Sequence, residues 1–201
     1  ERTATTAVDA YVTPAIRGYL TRLTERATDA GVPEPRVMQA NGGTAAAETV
    51  SEQAVSTTLS GPAAGVVGAA ATAAADGADA AASDDTAAPS VVTFDMGGTS
   101  SDVSLVRDGQ AERTTEADID GIPIRTPMVD VTTVGAGGGS IAWVDSGGAL
   151  RVGPESAGAE PGPACYGHGG DRPTVTDANV VLGYIGDDIA LGGELTLDVD
   201  A

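Results

Sequence analysis

Residues 91–102 read Val91-Val92-Thr93-Phe94-Asp95-Met96-Gly97-Gly98-Thr99-Ser100-Ser101-Asp102, and no other stretch constrains the chain as strongly. A short apolar run ends in an aspartate, and a Gly-Gly-Thr turn follows at once. The run has the length and composition of a buried strand. Glycines in the turn let the backbone adopt positive φ and come close to a ligand. Successive N–H groups in such a turn form an anion cradle, to which the Thr and Ser hydroxyls add donors. An aspartate beside a bound polyphosphate is placed to hold Mg²⁺ through water. The same residues also make an ordinary tight turn whose Asp and Thr satisfy their own backbone, and a short motif alone does not separate the two readings.

With 201 residues the chain is long enough to bury a core in one or two domains. Its formal charge is −19, and all ten basic residues are arginine. A mechanism that needs a lysine from this segment, such as a Walker-A lysine or a Schiff base, is therefore excluded. So is nucleic acid as a partner, because affinity for it comes largely from basic residues that neutralise phosphates. Acidity without lysine fits a high-salt cytoplasm, where self-repulsion is screened. A GC-rich genome favours the same residues. The single cysteine, Cys165, forms no internal disulfide, which suits a cytoplasmic setting. No run of 18 apolar residues and no signal-peptide pattern points to a membrane. The chain starts at Glu1, already in helical pattern, and reads as a piece of a longer protein.

Val8, Tyr11, Val12, Ala15, Ile16, Tyr19, Leu20 and Leu23 recur at helical spacing, which predicts a helix over residues 4–30 that Pro14 kinks or divides. Tyr11, Tyr19 and Trp143 read as core. Residues 37–40 suggest a strand, Asn41-Gly42-Gly43 a turn, and residues 45–52 and 60–75 helices. Residues 76–89 lack periodicity and read as an exposed acidic loop. Asp108-Gly109 between two alternating runs predicts a hairpin. Residues 129–134 suggest one strand, leading into Gly135-Ala136-Gly137-Gly138-Gly139-Ser140. Residues 153–176 form a long Gly/Pro-rich loop, and such loops are usually functional. Thr176-Asp177 reads as an N-cap for a helix around 178–182. The expected organisation is a helical or α/β part over 1–75, the loop 76–89, and an α/β half over 90–201.

Several segments now match one family in order. They are Ser60-Gly61-Pro62-Ala63-Ala64-Gly65, residues 95–102, Gly135–Ser140, the loop from Gly153 through Pro163-Ala164-Cys165-Tyr166-Gly167, and Pro173-Thr174-Val175-Thr176-Asp177-Ala178-Asn179. Over about residues 1–186 the chain resembles the hydantoinase A/5-oxoprolinase family, in particular N-methylhydantoinase A. The resemblance implies an α/β fold of the actin-like ATPase type, with RNase H-like halves, a mixed sheet and flanking helices, present here as an incomplete fragment. It also implies coupling of ATP hydrolysis to the opening of a cyclic amide or imide, with a B-type subunit as a possible partner. Carboxylase subunits of the acetone and acetophenone type belong to the same relatives and give the alternative reading. A non-catalytic nucleotide-binding module on the same fold is the other.

On this reading Gly97, Gly98, Thr99 and Ser100 supply the N–H and hydroxyl cradle for ATP. Asp95 and Asp102 hold Mg²⁺ or orient water, in chemistry that depends on positioning and charge neutralisation. By resemblance Gly135, Gly137, Gly138, Gly139 and Ser140 line the nucleotide cleft, and Asn41, Gly42 and Gly43 line the cleft as well. Cys165 and His168, the only histidine, stand in the Gly/Pro-rich loop as substrate-side residues, against the simpler readings of a buried small residue and a surface loop residue. Asp130 and Asp177 are secondary metal-ligand candidates, Asp177 having the competing reading of a helix cap. In Asp130-Val131-Thr132, Thr132 stands where many relatives carry histidine, and threonine is a poor base or metal ligand.

Overall fold

The computed structural model describes residues 2–80, 90–119, 121–186 and 195–201. They divide into two units, Glu1–Thr93 with Ser104–Val131, and Phe94–Val103 with Thr132–Ala201. This cuts the chain differently from the 1–75, 76–89 and 90–201 segmentation, because residues 104–131 pack with the N-terminal helices.

In the first unit, helix α1 (Arg2–Asp29) runs unbroken through Pro14, so the expected division there does not occur. Ile16, Leu20 and Leu23 form its inward stripe against Val37, Ala45, Ala47 and Val50. Val8 meets a second cluster of Ala40, Val55, Ile124 and Met128. Polar ties fix the helix in place: the Asp9 carboxylate accepts from the Val55 N–H at 2.8 Å, and the Thr5 hydroxyl from the Arg125 N–H at 2.9 Å. Tyr11 and Tyr19 fall off that stripe and are 85% and 56% exposed, which corrects their reading as core.

Strands β1 (Arg36–Met38) and β2 (Thr44–Ala46) form an antiparallel hairpin, followed by α2 (Ala47–Glu52), a 3₁₀ turn at Ala54–Thr57 and α3 (Ser60–Ala80). Residues 76–80 continue α3 instead of opening a loop, in keeping with the alanine content of the segment. Residues 81–89 of the expected acidic loop lie outside the described residues. Ala63 and Val66 of α3 are buried with Val106 and Val129.

Strand β3 (Val91–Met96) lies beside β4 (Ser101–Arg107), which turns into β5 (Gln110–Ala111). Asp108 and Gly109, at φ 49° and 73°, make the left-handed turn that Asp-Gly foretells. The run 91–96 is a strand but not a buried one. Thr93 is buried, whereas Val92 and Phe94, on the opposite face by strand alternation, are 65% and 62% exposed. Two nested hairpins complete the unit: β6 (Arg113–Thr114) pairs with β9 (Met128–Val129), and β7 (Ala117–Ile119) with β8 (Ile122–Ile124).

The single strand expected over 129–134 is split. Val129 pairs with Arg113, and its N–H donates to Ala40 in the first unit. Strand β10 (Thr132–Val134) instead pairs antiparallel with Ser101–Val103 in the second unit. That unit continues with β11 (Ser140–Val144) and β12 (Leu150–Ser156), an antiparallel pair. Trp143 on β11 is 48% exposed, with its indole N–H on the Gly153 carbonyl at 2.8 Å, so it too is not core. After a 3₁₀ turn at Ala164–Tyr166 comes α4 (Val175–Val181). Its N-cap is Thr174, two residues before the expected position. Thr174 and Asp177 form a reciprocal capping box. Cys165, Val180 and Leu197 form the local core. No helix of the described residues is long and apolar enough to cross a membrane.

Candidate functional site

The Gly-Gly-Thr-Ser turn between β3 and β4 is closed by the Gly97 N–H on the Ser100 carbonyl at 2.9 Å. The second glycine turn packs onto it, backbone against backbone. The Gly138 N–H donates to the Gly97 carbonyl at 2.8 Å, and the Gly139 N–H to the Gly98 carbonyl at 2.7 Å. The Ser101 hydroxyl reaches the Ala136 carbonyl at 2.6 Å, and the Ser140 hydroxyl accepts from the Gly137 N–H at 2.9 Å. A Cβ on Gly137 would stand 2.7 Å from backbone atoms of Gly97, Thr99 and Ser100, so only glycine permits this approach.

This packing orients the first turn. In a trans peptide the carbonyl and the following N–H point in opposite directions. The Gly97 and Gly98 carbonyls are held by the second turn, so the N–H groups of Gly98 and Thr99 point away from it. Gly97, Gly98 and Thr99 are exposed, and a Cβ on Gly98 would meet nothing within 4 Å. Two consecutive outward N–H groups beside a hydroxyl are the elements of an anion-binding nest. The amides of Gly138 and Gly139, by contrast, are already engaged with protein carbonyls. The second turn therefore braces the first with its backbone.

Asp95 is exposed on β3 immediately before this turn. Asp102, half-buried on β4, accepts from the Thr133 hydroxyl at 2.7 Å. Asp130 belongs to the first unit, where its N–H donates to the Glu112 carbonyl and its own carbonyl accepts from Ser104. Thr132 is exposed on β10. Asn41, Gly42 and Gly43 also belong to the first unit. The Asn41 carboxamide accepts from the Gly43 N–H at 2.7 Å, and Gly42, at φ 79°, sits against Val67 and Val129. The first contact is internal to the hairpin turn, and the second packs that turn against α3 and β9.

In the Gly/Pro-rich loop Cys165 is buried, and the Asp177 carboxylate accepts from its N–H at 2.9 Å. Burial first, and then the adjacent Asp177 carboxylate, push the Cys165 thiol up to about 12. It is thus a thiol, not a thiolate, at neutral pH, and serves as the buried small residue of the simpler reading. Burial raises the Asp177 carboxyl, but hydrogen bonds from Cys165 and Thr174 outweigh it and hold the group below its ordinary range. His168 is exposed beyond the 3₁₀ turn. Among the described residues no group of three or more His, Cys, Asp or Glu is arranged to hold a metal ion. A cavity of about 820 Å³ lies along α1 and α2 and is lined by none of these residues. Sequence reasoning missed Thr174 as the cap, although the Thr-x-x-Asp spacing signals it. It also missed Ser101, whose hydroxyl bond across 35 residues leaves no local signature.

The hydantoinase/oxoprolinase family profile matches residues 2–201. The chain belongs to that family. It is 43% identical over 201 residues to caprolactamase subunit alpha of Pseudomonas jessenii, covering 100% of this chain and 27% of the relative. It is 44% identical over 185 residues to 5-oxoprolinase 1 of Arabidopsis thaliana, covering 92% of this chain and 14% of that protein. The crystal structure of the ATP-dependent caprolactamase from P. jessenii superposes with a TM-score of 0.74 over 98% of this chain and 27% of its own, at 43% identity. A nucleotide-free acetone carboxylase structure superposes with a TM-score of 0.70 at 31% identity, over 99% of this chain and 27% of that one. The chain thus spans about a quarter of the caprolactamase subunit's length. Its mixed α/β fold is that of the actin-like ATPases, shared with both structures.

Proposed function

We propose that the protein carrying this hydantoinase/oxoprolinase segment uses ATP to open a cyclic amide or imide of the hydantoin or 5-oxoproline type. The orientation of the Gly97–Ser100 turn, with the Gly98 and Thr99 amides directed outward beside exposed Asp95, is the observation that carries the reading. Similarity to 5-oxoprolinase 1 and to an ATP-dependent caprolactamase supports the substrate class.

The donor set suits a phosphate: two outward backbone N–H groups, the Thr99 and Ser100 hydroxyls, and open space above Gly98. Gly97, Gly98, Thr99 and Ser100 hold the phosphates, and Gly135, Gly137, Gly138, Gly139 and Ser140 form the supporting wall. Asp95 would hold Mg²⁺, which would neutralise phosphate charge, and Asp102 would orient a water molecule. ATP supplies the phosphoryl group that makes the amide oxygen a leaving group. Overall, two water molecules are consumed: the ring C–N bond breaks to leave an amine and a carboxylate, while ATP becomes ADP and inorganic phosphate that carries off the amide oxygen. The chain's own residues contribute positioning and charge neutralisation, not a covalent nucleophile. His168 remains a substrate-side assignment within this proposal. A B-type subunit completes the enzyme, in keeping with the description of the caprolactamase relative as a subunit. The charge of −19 without lysine supports a high-salt cytoplasm as the setting in this proposal.

The test is ATP turnover by the full-length protein, with its neighbouring subunit, across lactams, hydantoins and 5-oxoproline. Ring-opened product formed in step with ADP is the expected result. Asp95→Asn should lower turnover by about a hundredfold or more, the size expected for losing a preorganised electrostatic contact. Unchanged turnover in that variant removes Asp95 from the mechanism. The acetone carboxylase neighbour keeps a second reading in view. Turnover that requires bicarbonate and yields a carboxylated product decides for it. ATP binding without turnover on any substrate decides for a non-catalytic module.

A further inference from the structure

Asp177 stands at a junction that neither the phosphate-type turn nor the cyclic-amide chemistry accounts for. Its Oδ1 accepts from the Cys165 N–H at 2.9 Å. Its Oδ2 accepts from both the N–H and the hydroxyl of Thr174, each at 2.8 Å. The Thr174 hydroxyl in turn accepts from the Asp177 N–H at 3.3 Å. Both carboxylate oxygens are thus occupied by protein donors, which leaves the residue poorly suited to a metal. One carboxylate ties the middle of the Gly/Pro-rich loop to the first turn of α4.

That first turn of α4 reaches the glycine turns directly. The Thr176 N–H donates to the Gly138 carbonyl at 2.8 Å. The Thr176 hydroxyl lies so close to Gly138 that a Cβ there would stand 2.7 Å from it. The Gly138 N–H holds the Gly97 carbonyl at 2.8 Å, and that bond turns the Gly98 N–H outward. A second tie joins the same segment to β11, from the Ala142 N–H to the Pro173 carbonyl at 2.8 Å. Hydrogen bonds and adjoining backbone therefore link Cys165, through Asp177, the first turn of α4 and Gly138, to the amide that faces outward at Gly98.

We propose that Asp177 is a positioning residue that couples the Gly/Pro-rich loop carrying Cys165 and His168 to the phosphate-type turn, so that nucleotide on one orders the other. The role rests on the reading of Gly97–Ser100 as the phosphate cradle. It assigns no contact between Asp177 and substrate. Packed hydrogen-bonded networks carry such coupling when they move between discrete arrangements, and single changes along them alter it by roughly 2- to 30-fold.

The two oxygens allow the two halves of the junction to be separated. In Asp177→Asn one oxygen becomes an NH₂ group, so either Cys165 or Thr174 faces a second donor. Asp177→Glu retains the capping-box chemistry with Thr174 but moves the carboxylate relative to Cys165. The experiment uses the full-length protein and follows hydrogen exchange at the amides of Gly138, Gly139 and Cys165, together with steady-state kinetics in ATP. In the wild type, ATP should slow exchange at the Cys165 amide. In Asp177→Asn, exchange at Gly138 and Gly139 should accelerate and KM for ATP rise by about tenfold, with kcat changed much less. Asp177→Glu should restore most of the KM while leaving the Cys165 amide fast.

Unchanged Gly138 and Gly139 exchange in Asp177→Asn overturns the proposal. Uniformly faster exchange throughout the protein does so too, because it marks a merely structural role. If the substituted proteins fail to fold, the wild-type measurement decides, and a Cys165 amide indifferent to bound ATP overturns the coupling. A wild type that does not bind ATP removes the nucleotide reading itself. The Gly138 and Gly139 exchange in Asp177→Asn then still shows whether Asp177 positions the turn.

Discussion

Gly137 shows how much a single missing side chain decides. The atoms a Cβ would meet at 2.7 Å are all backbone, belonging to Gly97, Thr99 and Ser100, so no rotamer change relieves the clash. Gly98 is the opposite case, with nothing within 4 Å. Gly137→Ala should therefore destabilise the segment by about 1–3 kcal/mol through overpacking. Gly98→Ala should stay within about 0.5 kcal/mol of the wild type. Denaturant unfolding of the full-length protein compares them, and equal midpoints for the two variants would contradict the packing described. Both glycines stand in legible motifs, yet the sequence assigns both to the ligand. Only the tertiary contact separates the one that faces outward from the one that holds it in place.

At the level of elements, the 3₁₀ turn Ala164–Tyr166 and helix α4 are joined through Cys165 and Asp177, and the two groups respond to pH in opposite directions. The Cys165 thiol is raised from 9.0 to about 12, chiefly by burial. Its contribution to stability is complete below about pH 9 and is lost as pH climbs toward 12. The Asp177 carboxyl is lowered from 3.8, hydrogen bonds outweighing burial. Its contribution is present above that value and fades as pH falls through the lower folded value. At pH 8 the folded protein should react with iodoacetamide at Cys165 roughly a thousandfold more slowly than a free cysteine, and at the ordinary rate once unfolded. Rapid alkylation of the native protein would show that the turn is not packed as described. The Asp108-Gly109 hairpin was read directly from local spacing, whereas the Thr174-x-x-Asp177 box, signalled by its spacing, was set two residues late. The break between β9 and β10 was not readable. Residues 129–134 form one continuous β-favouring run, and pairing partners far away in sequence divide it.

For the whole molecule, a formal charge of −19 against ten arginines sets a self-repulsion that salt relieves. Raising potassium chloride from about 0.1 M to about 1 M shortens the Debye length from about 10 Å to about 3 Å. Exchange of the buried amides of Val50 and Val106, followed in the intact protein, should slow accordingly. Faster exchange at high salt would contradict the electrostatic reading. Composition, charge and the strand–Gly-Gly-Thr–strand pattern belong to the sequence alone. The motifs in order were enough for the family and, through that resemblance, for the α/β class, and Asp108-Gly109 was enough for its hairpin, because turn chemistry acts over a few residues. The direction of the Gly98 and Thr99 amides, the glycine that holds them and the junction at Asp177 were decided only by tertiary structure. Each depends on carbonyls and side chains brought together across tens of residues, and local spacing carries no record of that.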